Sequence, residues 1–215
     1  MQVALMGKDG GIVIASDRKS QVRPLIESGA RNTTGRIKIK ISASRRVAVT
    51  SAVDLDTADK VADCIIAEMD DQSAPDREKR ILAIAERVVS GKDIECIAAF
   101  LDPYPCFYFL ECKGKEHRTC GIRFLRIYAG DQINAAIYWS EMYEQEENLS
   151  VQQMTRLSAH IVVTAAQLNP AHISGLDIVR SGEGGFSFVQ GDELEALKTG
   201  ARRQNELFGT LVLGD

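Results

Sequence analysis

Three kinds of side chain in this 215-residue chain can do chemistry, and their spacing narrows what chemistry that is. The histidines, His117, His160 and His172, are far apart and show no metal-ligand spacing. The cysteines, Cys64, Cys96, Cys106, Cys112 and Cys120, are odd in number and contain no C-x-x-C pair, so free thiols are expected. Cys64 falls in a helical apolar stripe and Cys106 in an aromatic strand, as small core residues do. The densest chemistry is ionic. Asp17-Arg18-Lys19 ends an apolar strand, and Arg36, Lys38 and Lys40 alternate with Ile37, Ile39 and Ile41. In an extended strand the three basic residues share one face. That face is either solvated or offers one basic residue to a buried acid. Gly182-Glu183-Gly184-Gly185 lacks the strand, Gly-rich loop and helix order of a phosphate site and reads as a hairpin turn. No cofactor is called for.

The elements that must position these groups follow from periodicity. Residues 3–6 and 12–16 are short strands joined by the hairpin turn Gly7-Lys8-Asp9-Gly10-Gly11. Residues 20–35 read as a long polar loop, in which Arg23, Arg31, Asn32, Thr33 and Thr34 either bind an anion or face water. Residues 36–41 and 47–52 make a second hairpin. The period then changes to three and four. Ala58, Val61, Ala62, Ile65, Ile66 and Met69 mark one helix, and Ser73 with Pro75 starts another that carries Ile81, Ile84, Ala85 and Val88. Strands return at 95–101 and 105–112, with one or two more over 117–128. Ile133, Ala136, Ile137 and Ser140 mark a third helix, where Trp139 and Tyr143 are either core or a ring contact, with contact favoured because aromatics are enriched at interfaces. Ser150 with Gln153 is a capping box for a fourth helix. Residues 173–180 and 185–190 form a hairpin, and Asp192 caps a last helix. The Asp76–Arg80 charge run reads as the wet first turns of its helix. Runs of strands alternating with pairs of helices specify an α+β class with antiparallel sheets. The expected architecture is a four-layer αββα sandwich, two antiparallel sheets between helix pairs, in one domain over residues 1–215.

Composition bounds the function from outside. With 26 basic against 30 acidic residues, the formal net charge is −4, and no broad basic face points to nucleic acid. Lys8 and Asp9 interrupt the opening apolar run, so no secretory signal is read. No apolar stretch reaches the roughly 20 residues of a membrane helix. A cytoplasmic protein is expected, with neither membrane nor nucleic acid among its partners.

The element order and the opening residues together resemble the 20S proteasome subunit family, a branch of the N-terminal nucleophile hydrolases. The most specific part is Gly7-Lys8-Asp9-Gly10-Gly11-Ile12-Val13-Ile14-Ala15-Ser16-Asp17-Arg18, which looks like the family's first hairpin. Arg36–Ile41 with Val47–Ala52, Tyr128-Ala129-Gly130-Asp131, and Ile173-Ser174-Gly175-Leu176-Asp177-Ile178-Val179 extend the likeness over nearly the whole chain. The resemblance implies a subunit that assembles into homo-oligomeric rings. In active members a threonine at residue 1 attacks a peptide carbonyl and its own α-amine is the base. An ordinary α-amine pKa of about 7.7–8 makes that workable at neutral pH. By the same resemblance Asp17 matches the supporting acid, and either Arg36 or Lys38 takes the basic position. Ser51 falls where a backbone N–H serves the oxyanion, and Asn169 falls near a supporting Asp. Arg36 would be a poor substitute for lysine, because a guanidinium stays charged.

The start departs from that pattern. The count from Met1 to Asp17 matches the usual count from nucleophile to acid, so Met1 takes the nucleophile's place. Neither methionine nor the following Gln2 is a nucleophile of this kind, and the sequence shows no leading segment to cleave. Three functions are therefore weighed. One is a non-catalytic ring-forming or binding subunit with a protein or peptide partner. Another is an active peptidase or amidohydrolase whose native N-terminus differs. The third is a small-molecule or protein-binding module on the same scaffold.

Overall fold

Strand pairing begins with the apolar run at the start of the chain. A computed structural model describes residues 1–21, 33–70, 76–122, 126–130, 137–138, 141 and 149–213. Strands β1 (Gln2–Met6) and β2 (Ile12–Ser16) are buried along their whole length. They pair antiparallel with Gln2 opposite Ser16. β3 (Lys19–Gln21) and β4 (Thr33–Gly35) form a separate two-stranded ribbon. β5 (Ile39–Ile41) and β6 (Val47–Val53) follow, then helices α1 (Leu55–Met69) and α2 (Arg77–Val88). Next come β7 (Ile94–Phe100), β8 (Cys106–Lys113), β9 (Glu116–Ile122) and β10 (Arg126–Ala129). The chain closes with α3 (Val151–Leu168), β11 (Asp177–Gly182), β12 (Gly185–Phe188) and α4 (Gly191–Leu213).

Two five-stranded antiparallel sheets result, ordered β10-β1-β2-β11-β12 and β5-β6-β7-β8-β9. Alternation divides their side chains between three apolar clusters. Ala4, Met6, Ile12, Ile14 and Phe186 of the first sheet cluster with Ile39, Ala48, Ile97 and Phe107 of the second. Val3, Leu5, Val13 and Ile178 pack with Met154, Ile161 and Ala165 of α3. Val49, Ile94 and Phe100 pack with Val61, Ile65, Ile81 and Ile84 of α1 and α2.

Local signals explain the helix starts. Asp54 caps α1 by accepting from Thr57 N at 3.1 Å. Ser150 and Gln153 close a reciprocal capping box on α3, as the sequence predicts. Asp192 is not the cap of the last helix but lies in its first turn, because α4 already begins at Gly191.

The expected four-layer αββα sandwich is corrected. The chain forms an α+β fold with two large antiparallel sheets and four described helices, and adds a third, two-stranded sheet that the sequence reading placed in a loop. The reason is that Lys19–Gln21 and Thr33–Gly35 satisfy their backbone groups on each other, although neither carries an apolar pattern. The last helix, moreover, packs most extensively on α3. Arg23, Arg31, Asn32, Ser73, Pro75, Asp131, Trp139 and Tyr143, with most of the third expected helix, lie outside the described residues. Among the described residues no helix is long and apolar enough to cross a membrane, and no group of His, Cys, Asp and Glu is placed to hold a metal ion.

Candidate functional site

β1 delivers the chain's first residue to the end of β2. Asp17 N donates to the Met1 carbonyl at 3.1 Å, which holds the Met1 backbone beside the acid. The Met1 ammonium donates to Asp17 Oδ1 at 2.6 Å. Lys38 Nζ reaches the same carboxylate, 2.9 Å from Oδ1 and 3.0 Å from Oδ2, and Lys19 N donates to Oδ2 at 2.8 Å. Met1, Asp17 and Lys38 are 4%, 0% and 7% exposed, so two cations share one carboxylate out of contact with water. The Met1 side chain packs into the apolar cluster under α3, and its thioether offers no hydroxyl or thiol.

Lys38, and not Arg36, lies beside Asp17. The regular strand does not start at Arg36 but at Ile39, and in the irregular segment before it Lys38 turns inward while Ile37 is left 54% exposed. Arg36 goes instead to α1, where its guanidinium pairs with Asp56 at 2.8 Å and with Asp59. Ser51 N donates to the Lys38 carbonyl at 3.0 Å, so that N–H already serves to hold the lysine's backbone. Asn169 is the C-cap of α3. Its N–H donates to Ala165 O at 2.9 Å, and its carbonyl accepts from His172 N and Ile173 N at 3.1 and 2.9 Å. That turn is brought toward the site by Lys19 Nζ, which donates to Pro170 O at 2.7 Å.

Several neighbours escaped the sequence reading. Gln2 is buried, and its amide Nε2 donates to the Ser51 carbonyl. The signal was a polar residue sharing the strand face of Ala4 and Met6. Arg18 clamps the buried Asp177 through Nε at 2.9 Å to both oxygens, tying β2 to β11. Glu95, a lone acid in an apolar strand, accepts from Gly130 N at 2.6 Å. Gly130 has φ +71°, and a Cβ there would lie 3.4 Å from Ala52 Cβ and 3.8 Å from Met1 N, so both conformation and space favour glycine.

Two of the described thiols are held in their unreactive form. Cys64, Cys96, Cys106 and Cys112 are free, and the Cys120 side chain lies outside the described residues. Burial pushes the Cys96 thiol far up, and burial aided by Glu111 pushes Cys112 up to about 11. Both stay protonated at neutral pH, the form that is a poor nucleophile.

No protein-family model and no curated protein matches the chain. Solved structures do. Anbu (ancestral beta-subunit) from Yersinia bercovieri superposes with a TM-score of 0.67 at 11% identity, covering 100% of this chain and 97% of that one. The Anbu (Gly-1) mutant from Hyphomicrobium sp. strain MC1 superposes with a TM-score of 0.68 at 13% identity, covering 98% of each chain. Anbu proteins are proteasome-like but distinct, so the expected place in the 20S proteasome subunit family is corrected: at this identity the chain shares the fold of Anbu.

Proposed function

We propose that this chain is a proteasome-like subunit of the N-terminal nucleophile type that assembles with copies of itself into a ring. It serves as a structural or binding subunit, for a protein or peptide partner, and not as a peptidase. The observation that carries this reading is the buried Met1–Asp17–Lys38 cluster. It keeps the geometry in which an α-amine, an acid and a lysine would support a nucleophile. It fills the nucleophile's own place with a packed thioether. Asp17 and Lys38 then act as a structural remnant, with Ser51 fixing Lys38 through its backbone and Asn169 shaping the nearby turn. Arg36 belongs to the α1 contact. A cytoplasmic setting fits the free thiols, which a reducing compartment maintains.

The test joins the intact mass of the native protein to a peptide-hydrolysis assay on the same preparation, with particle mass measured by light scattering. A first residue of Met, no turnover and a ring-sized particle are expected. Turnover by a preparation that begins with Thr, Ser or Cys would overturn the non-catalytic reading. A monomer would overturn the ring.

A further inference from the structure

The outer surface of α3 and α4 carries a groove of about 450 Å³, lined by Gln152, Thr155 and Arg156 from α3 and by Ala196, Leu197 and Gly200 from α4. Gly200 lies well inside a 23-residue helix, where glycine weakens the helix relative to alanine. A Cβ built on it meets nothing within 4 Å, so the subunit's own packing does not require a glycine there. A second backbone lying close against the helix would.

The sequence of α4 says which backbone. Glu193, Ala196, Gly200, Arg203 and Leu207 recur at intervals of three and four and share one helix face. Leu207 is 55% exposed at its far end. About the level of Lys198 the face is matched in size and opposite in charge. Glu193 and Arg203 lie five residues to either side, and Ala196 and Gly200 lie two to either side. A second α4 laid antiparallel across this face sets each Ala196 against the other Gly200 and each Glu193 against the other Arg203. A parallel arrangement would oppose like charges instead.

We propose that α4 pairs antiparallel with α4 of a second copy of this chain. The small residues let the two helices approach closely, and the Glu193 and Arg203 charges fix their direction. The half-exposed Glu193 carboxylate also holds Arg180 at 2.5 Å, which orients it at the rim of the groove. The contact is two-fold and closes on itself, whereas a ring needs a head-to-tail contact. The pairing therefore does not rest on the ring reading.

Light scattering on the full chain reads the pairing. The wild type is expected to contain an even number of chains. Gly200→Leu adds a side chain into open space in the free subunit but blocks the approach, and is expected to halve the particle mass. Gly209→Leu, also in open space but off the shared face, is expected to leave the mass unchanged. Arg203→Glu should halve the mass too, and combining it with Glu193→Arg should restore it. A wild type with an odd number of chains overturns the proposal, as does a Gly200→Leu particle of wild-type mass. An unaltered ring in Gly200→Leu refutes the pairing and leaves the ring reading standing. A two-chain wild type that Gly200→Leu halves does the reverse.

Discussion

Lys38 and Arg36 stand two residues apart in one alternating segment, yet they live in different electrostatic worlds. Lys38 is buried against an acid that is itself fully buried, and it shares that acid with the Met1 ammonium. The Arg36 side chain is 37% exposed, and one of its partners, Asp56, is 86% exposed. Lys40 behaves like Arg36, reaching Asp63 at 2.7 Å across the surface of α1. A shared strand face says which way a basic residue points but not how deeply it ends. Depth is set where the strand stops being regular, here between Arg36 and Ile39. The difference matters because charge pairs at the surface are screened and mobile, whereas a buried pair stands or falls with both partners.

The sharpest way to break this contrast is Asp17→Asn. It leaves two buried cations facing each other without a carboxylate, and removing one partner of a buried ion pair costs about 3–5 kcal/mol. Urea unfolding of the variant should therefore show the largest loss of any single substitution in either region. Lys38→Met should cost clearly less, since Asp17 keeps the Met1 ammonium at 2.6 Å and a linear apolar side chain fills most of the space. If Lys38→Met proves the more costly of the two, Lys38 and not Asp17 is the keystone of the cluster.

The sequence carries the first two strands of the first sheet well, because β1 and β2 are apolar runs joined by a glycine-rich turn. It carries the helix starts equally well where a cap is local, as at Ser150 and Gln153. Asp17 was legible as an acid ending a strand, but its basic partner was not. Arg36 and Lys38 are equivalent by period, and only the irregular segment before Ile39 separates them. The ribbon of Lys19–Gln21 with Thr33–Gly35 was invisible because polar strands that pair only with each other leave no apolar signature. Gln2 and Glu95 were passed over for a related reason. A single polar residue in a buried strand says that a partner exists, and nothing in one sequence says where. The Arg18–Asp177 clamp joins residues 159 positions apart, beyond any local pattern.

A buried histidine sharpens the contrast further. His160 on α3 is buried, and desolvation lowers its pKa despite a hydrogen bond with the backbone of Ala201 on α4. With the folded pKa below the unfolded one, the unfolded chain binds the proton first as pH falls. Stability is therefore fully present above the ordinary histidine pKa of about 6.5 and is lost as pH drops from there through the lowered folded value. Comparing urea midpoints at about pH 7.5 and about pH 5.5, the wild type should lose more stability than His160→Gln. Equal losses would mean that His160 is hydrated in solution and titrates freely.

The smallest effect is expected at the surface ladder. Arg36→Ala removes an exposed partner from Asp56 and a nearer one from Asp59, and exposed pairs contribute about 0.2–1 kcal/mol. Asp59 argues for the upper part of that range. It is mostly buried, Lys40 is 3.9 Å away, and removal of Arg36 leaves that lysine as its cation on the ladder. Salt should discriminate the two regions cleanly. Raising ionic strength screens the exposed ladder, so the difference between wild type and Arg36→Ala in a urea titration should shrink. The cost of Asp17→Asn should hardly move, because no mobile ion reaches the buried carboxylate. If the Arg36→Ala cost matches that of Lys38→Met and resists salt, the ladder is electrostatically as buried as the cluster at Met1. The distinction between a solvated face and a buried ionic cluster would then have to rest on the α-amine alone.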